Sequence, residues 1–267
     1  MTIRTKPWPP GVPCWADLSV PDVDAVKPFY NKVLGWSFED MGAEFGGYNL
    51  AQVKGAPAAG LGAQQPEQQG QQPAWTLYFA SDDIDKTADA IIENHGTMLM
   101  PPSDVGPVGR MCIATDPTGA AFGVWQAGQH IGAAIVNEPG GLTWEDLRSS
   151  DPDTARPMYQ AVFGFRCDPM PDAGPDYTPF FLPGEDAPLG GIGGLMGAPA
   201  GTPSHWLVYF GVEDTEAAAA AATAAGGGLL APPFETPYGH MAAITDPAGA
   251  VFWVVQTTGE DQPDRSD

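Results

Sequence analysis

Basic residues are scarce in this chain of 267 residues. Only 11 Lys and Arg stand against 33 Asp and Glu, which gives a formal net charge of −22. A surface that binds nucleic acid or anionic lipid needs clustered Lys and Arg, and the sequence contains no such cluster. We therefore expect no nucleic-acid partner and no membrane partner.

Cysteine and long apolar runs are also scarce. The three cysteines, Cys14, Cys112 and Cys167, form no CxxC pair and no even-numbered framework, which favours a reducing compartment. No stretch has the length of a membrane-spanning helix, and residues 1–13 lack the apolar segment of a signal peptide. The sequence thus predicts a soluble, cytoplasmic protein.

The most informative feature that is present is a long internal repeat. Trp15-Ala16-Asp17-Leu18 returns as Trp144-Glu145-Asp146-Leu147, at an offset of 129 residues (144 − 15). Later segments repeat at nearly the same offset: residues 75–79 as 206–210, and 115–120 as 245–250. A period this long indicates a duplicated domain rather than an array of short repeats.

The repeat divides the chain into five parts. We predict an N-terminal extension (1–13), a first domain (14–127), a bridge (128–141), a second domain (142–257) and a disordered acidic tail (258–267).

Each half contains the pattern strand, helix and three strands twice. Asp22 is suited to cap the first helix and Gly35 to end it in a left-handed conformation; Asp151 before Pro152 is an equally clear helix start. The second helix is predicted from Asp83 to about His95, with Gly96 as its cap.

These segments resemble the vicinal oxygen chelate superfamily, which contains glyoxalase I, bleomycin-resistance proteins and extradiol dioxygenases. The resemblance covers nearly the whole chain. It is carried by Leu18-x-Val20-x-Asp22, Phe29-Tyr30 to Leu34-Gly35-Trp36, and Asp116-Pro117-x-Gly119, with their duplicates. Trp-x-Asp-Leu, Phe-Gly-Phe and the central Val136-Asn137-Glu138-Pro139 are similar to duplicated actinobacterial members known as hydroxylases or glyoxalase-like proteins.

The resemblance implies an α+β fold. Four βαβββ modules would form two tandem glyoxalase-like domains, each with a cupped mixed β-sheet and with helices on the outside.

The resemblance also implies a place for a divalent metal in the cup. Enzymes of the superfamily hold it with a His or Gln on the first strand, a His on the fifth and a Glu on the last, and glyoxalase I adds a carboxylate. In the first half these four positions fall on Trp15, Thr76 and Gly123 and near Leu61. In the second half they fall on Trp144, Leu207 and Trp253 and near Ile192. None is a metal-ligating residue, so we expect no metal and no other cofactor.

Tryptophans are the first group of candidate site residues. Strand alternation turns Trp15, Trp144 and Trp253 toward the cups, whereas Phe122 and Phe252 face the helices. Two interpretations stay open: the indoles fill the cups as core, or they line a cavity for a planar or apolar ligand. In the second case Asp17 or Asp146, together with Tyr209, would supply polar contacts.

Histidines and glutamates supply further candidates. His205 lies two residues before Leu207, shares its face of the strand and would orient a ligand at the mouth of the second cup. Alternatively, His205 and His240, with Asp146, would form an acid/base pair or an irregular metal site. Glu138 and Glu145 either transfer protons together with Asp146 or are solvated or hydrogen-bonded bridge residues.

The leading hypothesis is a metal-independent protein that binds a small, partly aromatic or apolar molecule in the second cup, for sequestration or for a metabolic step. The predicted lining is Trp144, Asp146, His205, Tyr209 and Trp253. Alternatives are a metal-dependent glyoxalase-like lyase or a dioxygenase or hydroxylase, and a structural or interaction protein with filled cups. Catalytic residues, the ligand and the oligomeric state are left unassigned.

Overall fold

The computed structural model describes residues 3–170, 174 and 176–256. These residues form two eight-stranded sheets and four α-helices. The elements of the first half are β1 (Pro13–Val20), α1 (Val23–Leu34), β2 (Ser37–Asp40), β3 (Asn49–Val53), β4 (Ala56–Ala63), β5 (Trp75–Ala80), α2 (Ile84–Glu93), β6 (Thr97–Asp104), β7 (Gly109–Thr115) and β8 (Ala121–Ala127). Those of the second half are β9 (Leu142–Ser149), α3 (Pro152–Phe163), β10 (Arg166–Cys167), β11 (Thr178–Phe181), β12 (Gly190–Gly194), β13 (His205–Val212), α4 (Thr215–Ala224), β14 (Gly228–Thr236), β15 (Gly239–Thr245) and β16 (Val251–Gln256).

Both sheets have the same topology. The strand order is β2-β3-β4-β1-β5-β8-β7-β6 in the first and β10-β11-β12-β9-β13-β16-β15-β14 in the second. The first strand of each half runs parallel to the fourth and antiparallel to the fifth, so two βαβββ modules join along β1/β5 and along β9/β13. The predicted α+β fold with duplicated modules is confirmed.

The predicted caps fix both first helices. The Asp22 carboxylate accepts a hydrogen bond from the Ala25 amide at 3.2 Å, and Gly35 ends α1 with φ 70°. The Asp151 carboxylate accepts from Thr154 at 3.1 Å, and Pro152 fills the first turn of α3.

The prediction for the end of α2 is wrong by two residues, because the helix ends at Glu93 and Asn94 is its C-cap. His95, not Gly96, has the left-handed conformation, with φ 69°. Gly96 is needed for space, because a Cβ there would lie 2.5 Å from Cγ2 of Ile91 and 2.9 Å from the carbonyl oxygen of Thr115.

One hydrophobic core lies between the two sheets. The helices cover the face of each sheet opposite its cup, and there α1 packs against α4 while α2 packs against α3. Aromatic rings cross between the halves: Phe252 contacts Tyr30 at 5.5 Å, and Phe122 contacts Tyr159 at 5.6 Å between ring centroids. The cups therefore open on opposite sides of the molecule.

Two reciprocal hydrogen bonds tie the halves together. Tyr30 of α1 donates to Oδ2 of Asp246 at 3.0 Å, and Tyr159 of α3 donates to Oδ2 of Asp116 at 3.2 Å. Each aspartate opens an Asp-Pro-x-Gly turn and uses its Oδ1 to accept backbone amides of that turn, as Asp246 does from Ala250 at 2.8 Å. We call these two contacts the interdomain clamps.

Strand β8 ends at Ala127 and β9 begins at Leu142; the division into extension, domains, bridge and tail stays a prediction. The predicted tail, 258–267, lies outside the described residues. Within the described residues, no helix combines the length and apolar character needed to cross a bilayer.

The clamps generate a stability prediction. Tyr30→Phe and Tyr159→Phe should each lower the free energy of unfolding by about 1–2 kcal/mol, because each leaves a buried aspartate oxygen without its phenol donor. Urea denaturation followed by circular dichroism measures the effect. The exposed Tyr238→Phe is the control and should change stability by about 0.5 kcal/mol or less. Unchanged stability in both clamp variants would contradict the assignment.

Candidate functional site

Four of the five residues predicted to line the second cup lie together. One of them is a carboxylate, and the other three surround it or lie beside it. Trp144 and Asp146 lie two apart on β9, and Tyr209 of β13 pairs in register with both Trp144 and Trp253. Strand alternation thus turns these side chains to the cup face.

Asp146 is the centre of this group, and it is buried. Its Oδ1 accepts hydrogen bonds from Trp144 Nε1 at 3.0 Å and from the Tyr177 phenol at 2.8 Å. Its Oδ2 accepts from the Tyr209 phenol at 2.8 Å and from Arg148 Nη2 at 2.6 Å. Because four donors saturate the carboxylate, Asp146 organises the cup instead of offering a free acceptor.

Aromatic surface remains accessible beside this centre. Trp144 and Trp253 are only half-buried. Trp253 stacks on Tyr209 with ring centroids 5.5 Å apart, and the edge of Phe234, 41% exposed, packs against it at 6.1 Å. The second cup therefore offers indole and phenyl surface to a ligand.

His205 occupies the first position of β13. Alternation places it on the face of Tyr209, it pairs in register with Arg148, and its Nδ1 lies 2.8 Å from the carbonyl oxygen of Pro203. Its role as a rim residue stays a prediction. The hypothesis of a joint site with His240 is wrong, since the His240 ring points to the helix side, 3.9 Å from Glu216 of α4.

The proton-transfer hypothesis for Glu145 and Asp146 is also wrong. Adjacent residues of a strand point to opposite faces. Glu145 is completely buried on the helix side, near Cys14, whereas Asp146 lies in the cup.

Sequence reasoning missed Arg148 and Tyr177. Arg148 continues the cup-facing series of Trp144 and Asp146, so alternation alone was enough to find it. Tyr177 follows a loop, and its position depends on the glycines of β12: a Cβ on Gly191 would lie 1.9 Å from the Tyr177 hydroxyl. Because its glycines carry no side chains, β12 leaves room for the Tyr177 ring.

The first cup repeats the aspartate with its two tyrosines and differs in what the tryptophan bonds and in the residue at the position of Arg148. Tyr48 and Tyr78 both donate to Oδ2 of Asp17, at 3.2 and 3.1 Å, and Trp15 Nε1 donates to the Tyr48 hydroxyl at 2.9 Å. The position of Arg148 is taken by Ser19, at the common offset of 129 (148 − 19). The first cup thus has the carboxylate without the guanidinium.

The first cup is also more closed than the second. Trp15 is 4% exposed, and His130 of the bridge packs edge-on against it at 4.6 Å between centroids. Trp125, 5.6 Å from the same imidazole, donates to the His130 carbonyl at 2.8 Å. A bridge residue therefore covers the indole whose duplicate is accessible in the second cup.

Burial changes the proton affinity of two groups in the first cup. Desolvation raises the pKa of Asp17 to about 7, although hydrogen bonds from Tyr78 and Tyr48 work in the opposite direction. Desolvation lowers the pKa of His130 to about 4, so its imidazole is neutral near pH 7.

The positions at which the superfamily holds its metal do not fit one in the first half. A glutamate at Gly123 has no room, because a Cβ there would lie 2.1 Å from Cδ1 of Tyr78. The indole of Trp15 stands at the first-strand position and is hydrogen-bonded to Tyr48.

The second half does not fit a metal of this kind either. The indoles of Trp144 and Trp253 stand at the first- and last-strand positions, and neither is a metal ligand. Ile192, near the further carboxylate position, is completely buried in the core. Across the described residues, no group of three or more His, Cys, Asp or Glu side chains could hold a metal ion.

Comparison with known proteins agrees with this fold. The profile of the Glyoxalase/Bleomycin resistance protein/Dioxygenase superfamily matches residues 14–124 and 141–254. "Putative glyoxylase CFP32" of Mycobacterium tuberculosis is 42% identical over 252 residues, 92% of this chain and 95% of that protein. "Anthracycline biosynthesis protein DauV" of Streptomyces sp. strain C5 is 35% identical over 262 residues, 92% of this chain and 94% of that protein.

Solved structures share the architecture at low sequence identity. The Mn(II)-bound glyoxalase of Novosphingobium aromaticivorans superposes with a TM-score of 0.65 at 17% identity, over 92% of this chain and 82% of that one. The 2,3-dioxygenase LapB of Pseudomonas sp. KL28 gives 0.65 at 15%, over 92% and 93%. The chain belongs to the Glyoxalase/Bleomycin resistance protein/Dioxygenase superfamily, with the family domain present twice.

The raised pKa of Asp17 generates a pH prediction. A group whose pKa is raised on folding stabilises the protein below its unfolded pKa and loses that contribution as the pH rises through its folded pKa. The stability of the wild type relative to Asp17→Asn should therefore fall between about pH 4 and pH 7, by about 1 kcal/mol or less per pH unit.

Urea denaturation of both proteins at several pH values measures this difference, and the comparison cancels the repulsion common to the whole acidic chain. A stability difference for Asp17→Asn that does not change with pH would contradict the prediction.

Proposed function

We propose that this chain is a glyoxalase-like protein that binds a small, partly aromatic or apolar molecule in the second cup, independently of the metal of its superfamily. The observation that carries the proposal is the half-buried pair Trp144 and Trp253 beside the saturated carboxylate of Asp146. The bound molecule would be sequestered there or passed through a metabolic step.

Stacking supplies the first part of recognition. Trp253 is held by Tyr209 on one side and by Phe234 at its edge, so it is already oriented before a ligand arrives. Aromatic pairs contribute about 0.5–1.5 kcal/mol beyond the burial of area. A flat ring system that contacts both indoles gains this twice without reorganising the cup.

Arg148 supplies a polar contact at the edge of the stack. Its Nη2 is bound to Asp146, whereas its Nη1 donates to Sδ of Met196, a weak acceptor. Met196 is 70% exposed and has a strained backbone, with φ 45°. A carbonyl or carboxylate oxygen of the ligand would replace this sulfur and form the stronger, charge-assisted hydrogen bond.

The names of two relatives support this class of ligand. The chain is 34–35% identical to two proteins named for anthracycline biosynthesis, and anthracyclines are planar aromatic molecules that carry carbonyl groups. Such a molecule matches two accessible indoles and an arginine N–H.

The test uses anthraquinone-2-carboxylate as the probe, with binding followed by tryptophan fluorescence and by calorimetry. We expect Trp253→Ala to weaken binding about tenfold or more, because it removes the stacking surface. Trp144→Phe should weaken it less, and the duplicate substitution in the first cup, Trp15→Phe, is the matched control and should leave the affinity unchanged. An affinity that is insensitive to Trp253→Ala would exclude the second cup as the site.

A metal-dependent glyoxalase-like lyase is the second candidate, favoured by the name of the mycobacterial relative. Elemental analysis after equilibration with Mn, Fe, Ni or Zn separates the two functions, together with turnover of the methylglyoxal–glutathione hemithioacetal. Stoichiometric metal that is lost in His205→Ala, with turnover that requires it, would favour the lyase. Absence of any probe binding, combined with a loss of stability in Trp144→Ala, would favour a structural protein with filled cups.

A further inference from the structure

An exposed methionine beside the second cup is in contact with a cation. Met196 follows β12 and is 70% exposed, whereas the other methionines among the described residues are half-buried or buried. Its Sδ accepts a hydrogen bond from Nη1 of Arg148 at 2.6 Å. A thioether is a weak acceptor, so this charged donor has a poor partner.

Turn propensity does not explain a methionine at this position. Met196 and Gly197 are the central residues of a tight turn, which the hydrogen bond from the Ala198 amide to the Leu195 carbonyl closes at 3.0 Å. Both central residues have positive φ, 45° and 80°. Such positions favour glycine and asparagine, and a methionine there is strained. Strain of this kind points to a role of the side chain.

The donor is held in place from its other side. Nη2 of Arg148 donates to Oδ2 of Asp146 at 2.6 Å, and the guanidinium carbon lies 5.6 Å from the centre of the Tyr177 ring. The side chain of Arg148 is 15% exposed. Nη1 therefore stays beside the turn and meets whatever acceptor residue 196 presents.

The sulfur and the donor occur together in only one half of the chain. In the first half, Ser19 takes the position of Arg148. The pairing of β4 with β1 and of β12 with β9 then places Gln65 at the position of Met196. Neither replacement carries a charge or a sulfur, so the contact between thioether and guanidinium belongs to the second cup alone.

We propose that Met196 is a peroxide-sensitive modification site, whose sulfoxide oxygen bonds Arg148 in place of a ligand of the second cup. The thioether sulfur attacks one oxygen of hydrogen peroxide. An S–O bond forms as the O–O bond breaks, and the sulfur gives up two electrons to the peroxide. The second oxygen leaves as hydroxide and becomes water with the proton of the first.

Oxidation replaces a weak acceptor with a strong one. The sulfoxide is polar, and its oxygen accepts a charge-assisted hydrogen bond from the guanidinium. Because Met196 is mostly exposed, its side chain can shift to bring the new oxygen to Nη1 without repacking the core. The oxidised residue then occupies the N–H that a carbonyl or carboxylate of the ligand would use. This competition rests on the function proposed above, whereas the modification and the contact with Arg148 do not.

Limited treatment of the full chain with hydrogen peroxide, followed by peptide mass mapping, tests the modification. We expect sulfoxide at Met196 before any other methionine of residues 3–170 and 176–256, because susceptibility follows exposure. Met170 is the internal comparison, since it is half-buried and its Sδ accepts from the Tyr238 hydroxyl at 2.9 Å. Oxidation that reaches Met170 or another of these methionines first would overturn the proposal.

A pair of variants tests the contact with Arg148. Met196→Gln presents a carboxamide oxygen in place of the sulfoxide, and Met196→Leu has a similar size without an acceptor. Hydrogen exchange of a peptide containing residues 195–198 should be slower in Met196→Gln and in peroxide-treated wild type than in untreated wild type. Met196→Leu should show no slowing with or without peroxide. Equal exchange in the two variants would overturn the contact, whether or not the second cup binds any probe.

The effect on binding has its own measurement, calorimetry with anthraquinone-2-carboxylate. Met196→Gln and peroxide-treated wild type should bind it about tenfold more weakly than Met196→Leu, because Nη1 is occupied. Met170→Gln is the matched control and should leave the affinity unchanged. Slower exchange without weaker binding would overturn the competition. If the untreated wild type does not bind the probe, the function proposed above fails, and the exchange measurement still decides whether the sulfoxide bonds Arg148.

Discussion

A carboxylate on the cup face of each central strand, buried at Asp146 and half-buried at Asp17, is the constraint on which both cups depend. Taking an ionised carboxylate out of water is costly unless donors surround it. Two tyrosines, a tryptophan and an arginine donate to Asp146, whereas two tyrosines donate to Asp17 and the tryptophan of that half reaches it only through Tyr48. The tyrosine rings lie directly against the neighbouring strands, where a Cβ at position 60 or 191 would collide with them. This explains the glycines at both positions. The rings then occupy the space in which the superfamily places metal ligands.

The two cups are independent of each other although the two halves share one core. The helices and the interdomain clamps lie on the faces opposite the cups. The duplicated halves therefore stabilise each other through one surface while their other surfaces are free to diverge. Arg148 and Ser19 occupy the same position in the two halves. This difference gives the two cups different charges and leaves the core unchanged.

Much of this architecture could be predicted from the sequence, because it follows from local rules. The caps at Asp22, Gly35 and Asp151 and the period of the repeat report directly on backbone conformation and topology. The cup-facing positions of Trp144, Asp146 and Tyr209 follow from strand alternation. Tyr177 and His130 could not be predicted in the same way, because a loop and the bridge carry them into the cups. The left-handed conformation of His95 could not be predicted in this way either. The next residue is a glycine because it packs closely against Ile91, so the glycine does not mark the left-handed position.

Gly123 and Tyr78 also bear on how reversible this divergence is. A single change of Gly123 to glutamate would drive the new side chain into the ring of Tyr78, and removing that ring first would deprive Asp17 of a donor. Each single step toward a metal site therefore passes through a less stable protein. Introducing a glutamate at position 123 therefore requires at least one further substitution, at Tyr78, in the same cup.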